Sequence, residues 1–318
     1  MKTLVILFEK ENKSGKAFEF LDIPFMDKVY FDFFDLLLES GLSVIIVRGL
    51  EKIIDNSTFT QGFIYLGKGE FKETTGQLKA DIVWDRTFLN SNYPKIGQDC
   101  KAEILNLPEF KLITENKWET YKKYPNYFPK TILVKDTESI IKELEEIETD
   151  KFVFKPLDLY GGKGVELFNK KDISIFIEFL NKNPNYLSNS LVQEFCDSSI
   201  GIKGVIEGNH DLRFMTTNKK ILLCYLRTPT DPNEFRSNYS LGGKLTIVET
   251  EKLPKEVLEF IEPLISEIYD EYKNPLYSID LFNTTKGLKL IELNGPITGF
   301  PEPGDLKRFY DNLLERFV

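Results

Sequence analysis

Apolar runs and helical stripes alternate along the first part of the chain. Lys2–Phe8 is a short apolar run that reads as a buried strand. From Met26 to Ser40, Val29, Phe33, Leu36 and Leu37 fall on one stripe at helical spacing, and Gly41 stops it. Ser43–Val47 is apolar again, so the chain opens as β-α-β, the start of a parallel sheet. Asn56–Ala80 is polar and rich in Gly and Thr, and short strands or loops are expected there. Asp81–Trp84 returns as a strand. Asp85 and Arg86 then stand at its end, where open α/β sheets hold ligands. An ordinary surface ion pair is the simpler reading of those two.

The pattern then changes. Asn116–Tyr124 predicts a short helix opening a new unit, punctuated by Pro125 and Pro129, and Thr131–Val134 a strand. Asp136 is placed to cap a helix running to Ile147, and Asp172 another with Ile173, Phe176, Ile177 and Leu180 at helical spacing. Leu191–Phe195, Asp211–Met215 and Ile221–Arg227 read as antiparallel strands. Pro254–Tyr272 is a helix that Pro263 could bend, a hairpin follows, and Asp305–Phe317 closes the chain as a helix. A domain boundary near residue 115 divides the pattern, with no internal repeat or low-complexity tract.

Composition narrows the function. The chain has 318 residues, enough for two domains, with 42% hydrophobic and 29% charged residues, the balance of a globular protein in water. A net charge of −9 disfavours a nucleic-acid backbone as main partner. Cys100, Cys196 and Cys224 are far apart, which argues against a disulfide framework or zinc site and for a reducing, cytoplasmic setting. No run approaches membrane-spanning length, and Met1–Phe8 is too short for a signal peptide. The single histidine, His210, excludes mechanisms that need two, and no Gly-x-Ser-x-Gly elbow supports a triad on it; an exposed turn is expected.

Two segments carry chemistry. In Phe154-Lys155-Pro156-Leu157-Asp158-Leu159-Tyr160-Gly161-Gly162-Lys163-Gly164, a strand ends in Lys155, and Gly161, Gly162 and Gly164 follow. Such glycines bare backbone N–H groups to phosphate oxygens, and a strand-end lysine suits the same phosphates. It is not a Walker A loop, and a ligand-free glycine turn is the alternative. In the hairpin Tyr277–Phe282, turn Asn283–Gly287, Leu288–Asn294, strand alternation sets Asp280, Glu292 and Asn294 on one face, with Asp280 opposite Glu292 or one step diagonal. Oxygen donors crowded on an apolar hairpin suit Mg²⁺, while a water-facing sheet would carry them equally well.

Together these segments resemble the ATP-grasp superfamily over roughly residues 112–318, closest to glutathione-synthetase-like and ribosomal-protein glutamate ligase-like members. "ITENKW", "FVFKPLDLYGGKGV", "LVQEF", "HDLRF", "FRSNYSLGGK" and "IDLF…IELNGP" follow the family's order. The resemblance implies an α/β fold: a pre-ATP-grasp domain over 1–115, then an ATP-grasp domain over 116–318 whose lid subdomain (about 120–192) and C-terminal subdomain (about 193–318) clamp the nucleotide. It implies that Lys117 and Lys155 contact ATP phosphates, with Gly161, Gly162 and Gly164 folded over them. Gln193, Glu194 and the Phe195 backbone would hold adenine. Asp280, Glu292 and Asn294 would bind Mg²⁺, with Mn²⁺ as an alternative. Arg213, Arg236 and Asn238 would face the reacting phosphate and carboxylate, with Arg227 a further candidate.

The implied activity is ATP-dependent joining of a small-molecule carboxylate, such as an amino acid or peptide, to an amine. An acylphosphate would form, and ADP and phosphate would be released. A small-molecule kinase and a non-catalytic nucleotide-binding module are the alternatives. No nucleic-acid or membrane partner is expected, and a homodimer is compatible with the fold. The first 111 residues, the segment Thr228–Glu234 and the tail "NGPITGFPEP" match less well, so substrate identity stays open.

Overall fold

The computed structural model describes residues 1–12, 14–18, 26–55, 57–89, 102–231, 234–238, 241–273, 275–295 and 307–318. Cys100, Tyr239, the start of the closing helix at Asp305 and all of the tail beyond Gly295 up to residue 306 lie outside them. Among the described residues no helix is long and apolar enough to cross a membrane.

The first sheet is built on strands apolar throughout. β1 (Lys2–Phe8) pairs in parallel with β2 (Leu42–Arg48) on one side and β6 (Ile82–Asp85) on the other, and β7 (Glu103–Leu105) extends the β6 edge. Leu4–Leu7 and Val44–Val47 are buried on both faces, the signature of a parallel sheet covered on both sides. α1 (Met26–Glu39) buries Met26, Val29, Tyr30, Phe33, Phe34 and Leu37, and Gly41 at φ 83° ends it.

The polar stretch after β2 is more regular than its composition suggests. After β3 (Ile53–Asp55), β4 (Thr58–Gly67) and β5 (Glu70–Lys79) form a ten-residue hairpin on the sheet's far edge. Lys68 and Gly69, at φ 53° and 79°, make the two-residue turn that such hairpins favour. The expected short strands or loops are corrected here: β5 is largely exposed, so it lacks the alternation that would reveal it.

Two antiparallel sheets follow α2 (Pro108–Glu115) and α3 (Lys117–Lys123). The second sheet runs β10 (Glu166–Asn169), β9 (Lys151–Pro156), β11 (Ser190–Glu194), β8 (Thr131–Leu133), backed by α4 (Thr137–Glu143) and α5 (Ile173–Lys182). Asp136 caps α4 as expected, accepting from the N–H groups of Glu138 and Ser139, whereas the Asp172 side chain makes no cap bond to α5. The third sheet runs β14 (Lys244–Val248), β13 (Lys220–Thr228), β12 (Asp211–Thr217), β15 (Tyr277–Thr284), β16 (Gly287–Asn294). α6 (Lys255–Tyr272) continues through Pro263 and packs on one face of this sheet, over Leu212, Phe214, Cys224, Leu226 and Ile279.

The opposite face of that sheet meets the first unit. Met215, Leu223 and Tyr225 join the core of α1 and the first sheet. α7 (Lys307–Leu314) closes the same core, with the Phe33 ring 6.0 Å from those of Tyr310 and Phe317. The end of the chain thus packs on its beginning, and the Lys2 ammonium donates to the Val318 carbonyl. Phe33→Ala should cost about 3–5 kcal/mol by urea denaturation; a loss below about 1 kcal/mol would contradict this shared core.

Candidate functional site

The register of the third sheet builds a line of charge on the face that α6 leaves uncovered. Arg213 is paired across the ladder with Asp280, Asp280 with Glu292, and Asp211 with Arg227. Asp280 opposite Glu292 is the register expected from the sequence. The parity argument fails beyond it, because Asp280 faces Glu292 while Leu281 faces Leu290. Ile291 is the extra residue of a bulge, and the turn tightens to Thr285-Lys286. Both Ile291 and Glu292 then line the same cleft, which regular alternation would forbid.

Arg213 grips Asp280 with two bonds, Nε to Oδ1 at 2.6 Å and Nη2 to Oδ2 at 2.5 Å. Arg227 donates Nε to Asp211 Oδ1 at 2.6 Å and Nη2 to Asp280 Oδ2 at 2.7 Å. Burial alone would raise the Asp280 carboxyl, but the two guanidiniums outweigh it and hold the group below the usual range. Asp211 is pushed up to about 6, by burial first, against the pull of Arg227 and with the charge of Asp280 adding to the rise. Glu292 Oε1 lies 3.8 Å from Arg213 Nη2 and accepts from Asn294 Nδ2 at 3.2 Å.

The lysines come from two other elements. Lys155 is next to last in β9 and donates to Gln193 Oε1 at 2.6 Å, on the neighbouring strand β11. Gln193 in turn donates to Thr131 Oγ1 at 2.8 Å. Burial pulls the Lys155 ammonium down to about 8, with Glu292 opposing. Lys117 opens α3, whose start is held by Asn116 Oδ1 accepting from the N–H groups of Trp118 and Glu119. Its ammonium donates to the carbonyls of Leu157 and Leu159 at 3.2 and 2.7 Å and lies 5.2 Å from the Tyr160 ring centroid.

Gly161, Gly162 and Gly164 have φ of 68°, 75° and 69°, a region that costs other residues strain. A Cβ on Gly162 would also come within 2.6 Å of Asn238 Oδ1. The loop rests on the Arg236–Asn238 segment, where Arg236 Nη1 donates to the Val165 carbonyl at 3.2 Å. Arg236 is otherwise held by both oxygens of Glu234.

These parts surround one cleft of about 940 Å³, its open mouth included. Lys117, Lys155, Gly161, Gly162, Gln193, Glu194, Phe195, Arg236, Asn238 and Glu292 line it, beside the apolar Val153, Ile291, Phe235 and Phe282. Asn294 lines an adjoining recess with Lys117, Lys155 and Glu292. Glu194 accepts from Lys286 at 2.7 Å. Arg213 and Asp280 do not line the cleft, but bear on it through Glu292. Gly164 is set back against Pro156.

Several residues here were missed or misplaced by the sequence reading. His210 is not an exposed turn but buried in the cleft wall, its Nε2 accepting from the Asn283 N–H and its Nδ1 therefore donating to the Gly208 carbonyl. Asp211, the Asp of the Asp-x-Arg pattern in "HDLRF", was given no role in the site, although it stands two residues from Arg213 as Glu292 does from Asn294. Asp85 and Arg86 are not a surface ion pair: both are buried, and Asp85 pairs with Lys111 at 2.7 Å.

Residues 117–268 match the model of the family described as prokaryotic glutathione synthetase, ATP-grasp domain. No curated protein matches the chain. Solved structures match along nearly its whole length. A Chryseobacterium gregarium RiPP-associated ATP-grasp ligase in complex with ADP and a leader and core peptide is 14% identical (TM-score 0.60), over 100% of this chain and 98% of that one. A D-cycloserine synthetase is 11% identical (TM-score 0.60; 98% and 99%), and D-alanyl-alanine synthetase A from Vibrio cholerae is 15% identical (TM-score 0.57; 99% and 98%). The chain has the ATP-grasp fold. Within it, residues 117–268 are the part similar to the glutathione synthetase ATP-grasp domain.

Lys155 gives this site a pH signature. A triphosphate bound beside Lys155, as the resemblance implies, would favour its charged form, so nucleotide affinity should then fall as pH rises through about 8. In the ligand-free chain the unfolded state binds that proton more tightly than the native one. Stability therefore gains from this group as pH rises from about 8 toward the ordinary lysine value of 10.5. Calorimetric ATP titrations across this range should show the step in the parent and lose it in Lys155→Met. An unchanged step in the variant would assign it elsewhere.

Proposed function

We propose that the chain is an ATP-dependent carboxylate–amine ligase that works through an acylphosphate. The observation that carries the reading is the meeting, in one cleft under a glycine loop, of Lys155 from the second sheet and Glu292 from the third. A carboxylate is a poor electrophile. Transfer of a phosphoryl group to its oxygen gives it a leaving group, and an amine can then attack the carbonyl carbon and expel phosphate. That transfer needs positioning and charge neutralisation rather than covalent help from the protein. Consistently, the cleft is lined by two lysines, two arginines (Arg227 and Arg236) and glycine backbone, and its one imidazole is a hydrogen-bonded part of the wall.

In this reading Lys117 and Lys155 hold phosphate oxygens, the amides of Gly161 and Gly162 cover them, and Val153, Ile291 and Phe235 sandwich the base against the β11 edge at Glu194 and Phe195. Arg236 and Asn238 seat the glycine loop and face the reacting groups. Residues 1–115 shape the substrate side, and 116–318 clamp the nucleotide. The substrates are of amino-acid or peptide type, as in the matched ligases.

The donor set fits a small hard cation. Glu292 and the Asn294 amide line the recess and would offer it their oxygens. Asp280, expected as a third ligand, is wholly buried, bonded to Arg213 and Arg227, and does not line the cleft. Among the described residues no group of three or more His, Cys, Asp or Glu is arranged for a metal. An ion here would complete its shell with water and phosphate oxygen, as Mg²⁺ prefers. When bound, Mg²⁺ would draw charge from the phosphates at Glu292 and Asn294.

An ADP-release screen over amino acids, dipeptides and polyamines tests the activity. With the right pair, one ¹⁸O per turnover should pass from the labelled carboxylate into phosphate. Unlabelled phosphate would refute the acylphosphate, and a stable phosphorylated product without free phosphate would mark a kinase. Glu292→Gln should lower turnover by at least about 100-fold with the melting temperature unchanged; near-parental turnover would remove Glu292 from the site. Asp280→Asn is the wrong probe, since breaking a buried ion pair costs about 3–5 kcal/mol of stability by itself.

A further inference from the structure

Two arginines at strand ends of the first sheet, Arg86 buried and Arg48 partly buried, have no ion pair among the described residues. β1 lies between β2 and β6, and α1 leads from β1 to β2 on one side while the chain reaches β6 on the other. A parallel sheet opens a crevice at such a switch point, beyond the carboxyl ends of its strands. Those ends here carry Phe8, Arg48 and, after Asp85, Arg86.

Arg48 Cζ is 4.4 Å from the centroid of the Phe8 ring, and Arg86 Cζ is 5.3 Å from the same ring. Arg86 also lies 5.1 Å from the Tyr30 ring and 5.2 Å from the Trp84 ring, and is only 4% exposed. Its Nη1 donates to the Tyr30 hydroxyl, and its Nε has no hydrogen-bond acceptor among the described residues. Among the described residues Arg48 donates only to backbone carbonyls, those of Ala17 and Lys10. Neither arginine is in an ion pair among the described residues. The adjacent carboxylate, Asp85, is engaged by Lys111 and Thr87. Burial, and then repulsion from Arg86, pull Arg48 down to about 10.

Arg48 also lines a cleft of about 570 Å³ with Lys16 and Lys52. Two acidic residues share that lining, Glu11 and Glu73, and both have partners: Glu11 is 3.6 Å from Lys52, and Glu73 accepts from Gln61. Three aromatic rings soften the charge of Arg86 but do not neutralise it. A buried guanidinium with an idle donor costs stability, and an oxyanion would relieve that cost.

We propose that Arg48 and Arg86 form an oxyanion subsite of the first sheet, which takes a carboxylate of the substrate to be ligated. The substrate is then an acidic amino acid or a peptide that presents a carboxylate besides its reacting group. This rests on the ligase reading above, and the path between the two sites supports it. Two residues past Arg86, the Phe88 ring is 5.7 Å from that of Tyr160 at the head of the glycine loop. The next N–H, of Leu89, donates to Glu115, which lines the recess with Asn294.

Thermal melting of the full chain tests this, with millimolar glutarate or inorganic phosphate at ionic strength held constant by chloride. Glutarate should raise the parental Tm by about 4 °C. R86M and R48M should each abolish that rise, keep the rise given by ATP with Mg²⁺, and melt without ligand no lower than the parent. A glutarate rise that persists in both variants, or is absent from the parent, overturns the subsite. A response to phosphate but not to glutarate overturns the carboxylate assignment. R86M melting well below the parent makes Arg86 a structural cation, and this also overturns it. Failure of ATP to stabilise the parent would instead sink the ligase reading and leave the anion result standing.

Discussion

Asp280 between Arg213 and Arg227 is the interaction on which the site depends. Its carboxylate is wholly buried and accepts three guanidinium bonds. A lone charge there would be untenable, so the three side chains form or fail together. They come from β12, β13 and β15, and fix these strands in one register on the face that α6 does not cover. Asp211 and Glu292 extend the line at either end, so charge alternates across the sheet floor. Glu292 meets the cleft at the open end of that line, with its position set by the network behind it.

The other side of the cleft is held in a state that favours an anion. Lys155 is desolvated and bonded to a neutral amide, while Lys117 rests on loop carbonyls and an aromatic ring. Among the described residues neither lysine has a carboxylate at bonding distance to quench its charge. The glycine loop carries left-handed turns that only glycine adopts without strain, and it sits directly on Asn238. Preformed cationic groups under a backbone roof suit a triphosphate and cost little reorganisation when one arrives.

The parts of this arrangement that sequence makes legible are those with local causes. The β1-α1-β2 opening reads from apolar runs buried on both faces, and the pairing of Asp280 with Glu292 from alternation on a hairpin. The bulge at Ile291 does not, because an extra apolar residue among apolar neighbours leaves the pattern intact. The β4–β5 hairpin is hidden for the opposite reason: the outward residues of an edge strand carry no burial signal. Asp85, Arg86 and His210 read as surface groups because polar residues usually are. What buries them comes from far along the chain: Lys111 for Asp85, Tyr30 for Arg86, Asn283 for His210. The motif order of an ATP-grasp chain was readable, whereas the first sheet's unpaired arginines emerge only once three strand ends are brought together.

The central claim is that one cleft takes a triphosphate and a divalent cation together, with Glu292 as the hinge between phosphate and metal. Calorimetric titration of ATP with and without Mg²⁺, on the parent and on Glu292→Gln, tests it most directly. The account predicts that Mg²⁺ tightens binding to the parent by at least about 10-fold and that the variant loses this gain while still binding metal-free ATP. Absence of ATP binding to the parent, or an undiminished Mg²⁺ effect in the variant, would contradict it.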